Sequence, residues 1–130
     1  MNIWTNGCFD ILHIGHIELF KYASSLGRLH VGIDSDQRVK LLKGLNRPIN
    51  KQNQRAQLLR SIKYIHTVNI FDDEQTLRSL LVDYDIDVIV IGDDYINKRV
   101  VGSDLVNDVL FFPKIPSIST SSIICQLNNK

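Results

Sequence analysis

The apolar positions of this chain follow two rhythms that alternate from end to end. Ile3-Trp4-Thr5 is a short β-favouring run that stops at the turn signal Asn6-Gly7. Ile17, Phe20 and Ala23, with Leu19 and Leu26 beside them, then recur at helical spacing, and Gly27 is placed to cap that helix. Leu29 to Ile33 reads as a second strand, and Asp34-Ser35-Asp36 offers N-cap chemistry for a short helix through Val39 and Leu42. A glycine, a proline and asparagines mark Lys43 to Asn50 as a loop. Ala56, Leu58, Leu59 and Ile62 then form the apolar side of a helix expected from Lys51 to Ile65.

Thr67 to Phe71 reads as a third strand, followed by an Asp72-Asp73 cap and a helix carrying Leu77, Leu80 and Leu81. Asp87 to Gly92 is a continuous apolar run suited to a buried parallel strand. Val109 to Phe112 gives a last strand, and Ser117 to Ile124 suggests a loop entering a final helix. Strand and helix alternating in this way predict an α/β fold, a doubly wound parallel sheet with helices on both faces. No internal repeat, low-complexity segment or linker divides the chain, so residues 1–130 are expected to form a single domain. Ligands of such sheets bind beyond the carboxyl ends of the strands. That rule selects Asn6 to His16, Asp34 to Asp36, Gly92 to Lys98 and Pro113 to Thr120 as the loops to watch.

Composition narrows the function classes. A formal net charge of +1 gives no bulk electrostatic case for nucleic acid or a membrane surface, and neither is expected as a partner. No run approaches the length of a membrane span, and the start MNIWTNG lacks a charged region followed by an apolar stretch. The two cysteines, Cys8 and Cys125, do not make a disulfide framework, so a reduced, cytoplasmic setting is expected.

The candidate chemistry gathers where the first strand gives way to a helix. Two of the four histidines, His13 and His16, lie three apart around Gly15. As a metal pair they would have Asp10 as a possible third ligand, without a cysteine cluster or HExxH pattern in support. As a base they could activate Cys8, although a small residue between a strand and Phe9 suits packing better. They could also simply be a polar helix start. Phosphate handling is the remaining use: a helix N-terminus presents free N–H groups, and imidazoles add donors. Gly7 allows a tight exit from the strand and Gly15 a close backbone approach. Neither the GxGxxG fingerprint nor the GxxxxGK[ST] P-loop is present to compete.

The string GCFDILHIGH, Gly7 to His16, resembles the first loop of the cytidylyltransferase-like nucleotidyltransferases, G-x-F-D-x-x-H-x-G-H, at Gly7, Phe9, Asp10, His13, Gly15 and His16. The resemblance covers nearly the whole chain. VGIDSD at residues 31–36 is similar to the family's second-strand motif, and IGDDY at Ile91 to Tyr95 to its fourth-strand motif. Lys43 and Arg55 occupy the positions of its phosphate-binding lysine and arginine, and SISTSSII resembles the ISTT loop that closes over the triphosphate. Each has a bland reading by itself: Lys43 as a solvated loop lysine, Arg55 as a helix surface charge, Ser119-Thr120 as an N-cap.

The resemblance implies a Rossmann-like fold and transfer of a nucleotidyl group from CTP or ATP to a sugar or polyol phosphate. His13 and His16 would bind the triphosphate and steady the transition state, while Lys43 and Arg55 would neutralise developing charge. Thr5, Gly7, Cys8, Phe9 and Gly15 would line the nucleotide, with Asp94 near the nucleoside and Ser119 and Thr120 donating to the β- and γ-phosphates. Asp10 would orient its loop, with a possible water-mediated role at a metal. Mg²⁺ would ride on the triphosphate rather than in a protein cage, and a homodimer is expected. TNGCFDILH, the LKGxxRPxN stretch at Leu42 to Asn50 and VVGS at Val100 to Ser103 look like the heptose 1-phosphate adenylyltransferase module. GDDY and FPK-x-x-x-IST look more like glycerol-3-phosphate cytidylyltransferase, except that Lys114 stands where that loop carries arginine. A nucleotide-binding or regulatory module on the same fold, with its chemistry lost, is the alternative.

Overall fold

The computed structural model describes residues 1–113. Five strands form one parallel sheet: β1 (Asn2–Gly7), β2 (Arg28–Asp34), β3 (Ile65–Phe71), β4 (Val88–Gly92) and β5 (Asp108–Phe112). Their spatial order is β3-β2-β1-β4-β5. The chain therefore builds outward from β1 to one edge, crosses back, and continues on the other side through β4. The expected α/β class holds, with helices on both faces. The final helix expected after Ser117 lies outside the described residues.

Strand alternation explains why both faces are covered. On one face Ile3, Leu29, Val31, Ile33, Val88 and Val90 pack with Phe20 and Ala23 of α1 (Ile14–Leu26) and with Ala56 and Leu59 of α3 (Gln52–Arg60). On the other, Trp4, Phe71, Ile89 and Ile91 meet Leu77 and Leu81 of α4 (Glu74–Asp83). The side chains one residue apart in β1, Ile3 and Trp4, are each fully buried in a different layer. The indole of Trp4 lies against Gly32 of β2, where a Cβ would collide with the ring.

Element boundaries differ from the sequence reading where two tendencies overlap. The helix expected from Lys51 to Ile65 stops at Arg60, and Ile65 instead opens β3 opposite Leu29. Two turns, closed by Ile62 N–H to the Leu59 carbonyl and Ile65 N–H to the Ile62 carbonyl, take the chain from the helix into the strand. Leu58, expected on the apolar side, is half exposed, and the inward stripe is Arg55, Ala56 and Leu59. Gly27 does stand at the end of α1, but in an extended conformation (φ 168°). Its lack of a side chain leaves room for the Met1 carbonyl.

A polar cluster sits at the amino end of β2. His30 is buried, its Nδ1 2.8 Å from Thr67 Oγ1 and its Nε2 3.3 Å from Asn2 Oδ1. Asn2 Oδ1 can only accept, and the Thr67 hydroxyl already accepts from Asn69 Nδ2. Nε2 is thus the donor to Asn2, and in the neutral ring Nδ1 accepts from the Thr67 hydroxyl. Burial, then the charges of His66 and Arg28, lower its pKa from the ordinary 6.5. A base whose folded pKa is depressed contributes stability that is present above the unfolded value and is lost as pH falls through the folded one. The melting temperature should therefore fall as pH drops from 7.5 towards 5, and His30→Gln should flatten that slope. Equal slopes in the two proteins would assign the acid sensitivity elsewhere.

Candidate functional site

The site is built where β1 ends and the chain turns into α1. Phe9 makes the turn in the left-handed region (φ 50°), a conformation that costs a side-chain-bearing residue on the order of 1 kcal/mol. The ring's packing offsets that cost. It lies over Gly7, where a Cβ would stand 3.2 Å from its Cζ, and meets the edges of His16 and Phe20 with centroids 5.3 Å apart. The residue that bends the loop thus also fixes the plane of His16.

His13 and His16 do structural work with one nitrogen each. His13 is the N-cap of α1, and its Nδ1 accepts from the Gly15 N–H at 3.1 Å. Reciprocally, His16 Nδ1 accepts from the His13 N–H at 3.2 Å, completing a capping box in which imidazoles replace the usual hydroxyl and carboxyl. The rings stack with centroids 3.8 Å apart. A nitrogen that accepts carries no proton, so in each neutral ring the proton sits on Nε2. Both rings are thereby held at a helix N-terminus, a place that suits an anion.

Asp10 and Arg55 hold the loops around this turn. The Asp10 carboxylate is buried and accepts from Arg47 Nε (3.1 Å), Ile49 N (2.8 Å) and Asn50 N (2.7 Å), while its carbonyl accepts from Asn50 Nδ2. It fixes the segment between α2 (Asp36–Lys43) and α3 to the end of β1. Arg55 is 1% exposed, so it is not a helix surface charge. Its Nε donates to the Asn50 carbonyl, its Nη1 to the carbonyls of Cys8 (2.9 Å) and Asp34 (2.7 Å), and its Nη2 to the Asp36 carboxylate (2.8 Å). Asp36 and Gln52 also cap each other's backbone N–H, joining the starts of α2 and α3.

An open cavity of about 330 Å³ lies beyond the carboxyl ends of β1 and β4, where strand order reverses. It brings together Thr5, Gly7, Cys8 and Phe9 from β1 and its loop, His13, Gly15 and His16 from the start of α1, and Lys43 from the end of α2. Asp94 joins them from the turn after β4, its carboxylate folded back over Gly92 where a Cβ would clash. Arg55 and Asp10 are not brought to the lining; both are buried behind it. Lys114, Ser119 and Thr120 lie outside the described residues, although Phe112 and Pro113, just before them, reach the rim. Burial raises the pKa of the Cys8 thiol, partly opposed by Lys43 and Arg55, so the thiol is held in its unreactive form. Sequence reasoning missed Asn6 and Tyr95, which also line the cavity. Asn6 had a readable signal, since strand alternation puts it on the face of Trp4 at the strand's open end.

Comparison with known proteins shows the family and the fold. Residues 4–125 match the family model described as cytidylyltransferase-like. The bifunctional protein HldE of Campylobacter fetus subsp. fetus (strain 82-40) is 44% identical over 126 residues, 96% of this chain and 27% of that protein. The bifunctional protein HldE of Campylobacter concisus (strain 13826) is 44% identical over 128 residues, 98% of this chain and 27% of that one. The chain thus spans little more than a quarter of the curated relatives it matches. Among solved structures, the lipopolysaccharide core biosynthesis protein from Thermoplasma volcanium shares the fold, with a TM-score of 0.71 at 24% identity over 88% of this chain and 98% of its own. With the family model matched from the first strand to within a few residues of Lys130, the chain belongs to the cytidylyltransferase-like family of nucleotidyltransferases.

Proposed function

We propose that the chain transfers a nucleotidyl group from ATP or CTP to a sugar or polyol phosphate and releases pyrophosphate. Of the acceptors, heptose 1-phosphate with ATP is favoured, because TNGCFDILH and the LKGxxRPxN stretch resemble that branch. The observation that carries the reading is the imidazole capping box, which holds both rings at a helix N-terminus lining the same cavity as Lys43. An acceptor phosphate oxygen attacks the α-phosphorus in line. The new P–O bond forms as the bond to the β-phosphate oxygen breaks, and pyrophosphate leaves with the electron pair. The chain supplies position and charge rather than a covalent intermediate. His13 and His16 donate to phosphate oxygens, Lys43 neutralises charge, Asp94 lies beside the nucleoside, and Lys114, Ser119 and Thr120 keep the triphosphate contacts the resemblance implies. Arg55 is reassigned: it positions the Cys8 and Asp34 carbonyls instead of touching phosphate.

The residues present fit a magnesium ion carried by the nucleotide. Among the described residues no group of three or more His, Cys, Asp or Glu side chains could hold a metal, and the Asp10 carboxylate is already occupied by three donors. Mg²⁺ on the triphosphate would screen phosphate charge. The test is pyrophosphate release with Mg²⁺, ATP or CTP, and heptose 1-phosphate or glycerol 3-phosphate. One pair should give release above a no-enzyme control. Nucleotide binding without release from any pair would instead make the chain a binding module.

A further inference from the structure

The cavity is lined by two kinds of polar group. Imidazoles and Lys43 suit phosphates, whereas the side chains of Asn6, Asp94 and Tyr95 are neutral or acidic. Asn6 follows Trp4 on the same face of β1, and the Trp4 indole Nε1–H donates to Asn6 Oδ1 at 3.0 Å. An indole nitrogen can only donate, so the atom facing it must be the amide oxygen, and the flip of the amide is fixed. Trp4 is fully buried, wedged over Gly32 and packed beside Phe71 and Ile89, so the anchor itself cannot swing. With Oδ1 held by the indole, Nδ2 is the side-chain donor left to Asn6, a residue of the cavity lining, and no hydrogen bond among the described residues engages it.

We infer that Asn6, locked by the Trp4 indole, is a substrate-recognition residue that donates through Nδ2 to a hydroxyl oxygen of a sugar-bearing substrate. The Asp94 carboxylate lines the same cavity and repels a phosphate but not a hydroxyl, so a hydroxyl is the better acceptor for this donor. Burial and the charges of Asp94 and Asp34 raise the pKa of Tyr95, so its hydroxyl keeps its proton as a second donor. The hydroxyl belongs either to the ribose or to the phosphorylated acceptor, and both sources share this chemistry. The choice of ligands rests on the nucleotidyl-transfer reading.

The experiment compares the wild-type protein with Asn6→Ala and Asn6→Asp by titration calorimetry. Asn6→Ala deletes the donor without adding charge. Asn6→Asp keeps an oxygen for the Trp4 indole, so its melting temperature should stay close to that of the wild type even if Asn6→Ala folds poorly. The ligands are ATP, CTP, heptose 1-phosphate, glycerol 3-phosphate and, as a ligand without hydroxyls, inorganic tripolyphosphate. At least one hydroxylated ligand should lose about tenfold in affinity in the variants, the loss of one hydrogen bond in a desolvated site. Tripolyphosphate should stay within about twofold of wild type for Asn6→Ala. Loss on the nucleotides assigns the ribose, and loss on a sugar or polyol phosphate assigns the acceptor; either supports the inference. Unchanged affinity for every hydroxylated ligand, or an equal loss on tripolyphosphate in Asn6→Ala, would overturn it. A wild-type protein that binds none of the five overturns the nucleotidyl-transfer reading as well, a result distinct from wild-type binding that the variants preserve.

Discussion

Replacing Arg55 with methionine is expected to destabilise the protein by about 3–5 kcal/mol, the range for removing one partner from a buried charged network. Methionine keeps most of the volume, so the loss reports hydrogen bonds rather than a cavity. The carbonyls of Cys8, Asp34 and Asn50 would each lose a donor, at a cost of about 1–3 kcal/mol for any that stays dry. The ion pair with Asp36 is a smaller part, because that carboxylate is 28% exposed and still accepts from Gln52 N. Arg55→Lys should recover only part of the stability, since one ammonium cannot reproduce a fork that reaches three separate segments. Urea unfolding measures both variants. An Arg55→Met protein with wild-type stability but no turnover would mean that Arg55 meets substrate after all.

Arg55 also shows where a sequence stops being legible. The fold could be read because its determinants are local and periodic: Trp4 and Ile3 alternate between layers, and Phe20 and Ala23 recur at helical spacing. What failed was the boundary near Arg60, where helix and strand preferences meet, and the placement of Leu58, where neighbouring leucines look alike until the helix is turned against a sheet. Arg55 has no local signal at all. An arginine on a nine-residue helix reads as a surface charge or a ligand contact, and only the convergence of β1, β2 and the 47–50 segment creates three carbonyls for it to fill.

The site was legible to a different degree. The HxGH spacing placed His13, Gly15 and His16 correctly at a helix start, because capping chemistry is local. Lys43 and Asp94 came to the same cavity although they are distant in sequence, and that convergence follows from the strand order, because β2 and β4, which precede them, both flank β1 in a parallel sheet. Asn6 was passed over because the Asn-Gly pair reads first as a turn signal. Its second use depends on an indole two residues earlier, visible only when the strand register is known.

The same capping box permits a separation of stability from chemistry at the histidines. His13→Ala or His16→Ala alone would be ambiguous, because losing a helix cap costs about 0.5–2 kcal/mol irrespective of any ligand. The double variant His13→Asn, His16→Gln avoids this. Asparagine is a strong N-cap residue and can accept from the Gly15 N–H, and glutamine three positions into the motif can reach back to the backbone N–H of residue 13. The helix start is kept while both Nε2–H donors disappear. The expected result is a melting temperature near that of the wild type with turnover reduced at least ~100-fold, the magnitude for removing a preorganised donor from a charge-stabilising site. Pyrophosphate release, measured with the substrate pair active in the wild type, reads the effect. If the double variant keeps its turnover, the imidazoles serve only as caps, and the charge of the transition state must be met by Lys43 and the helix N–H groups alone.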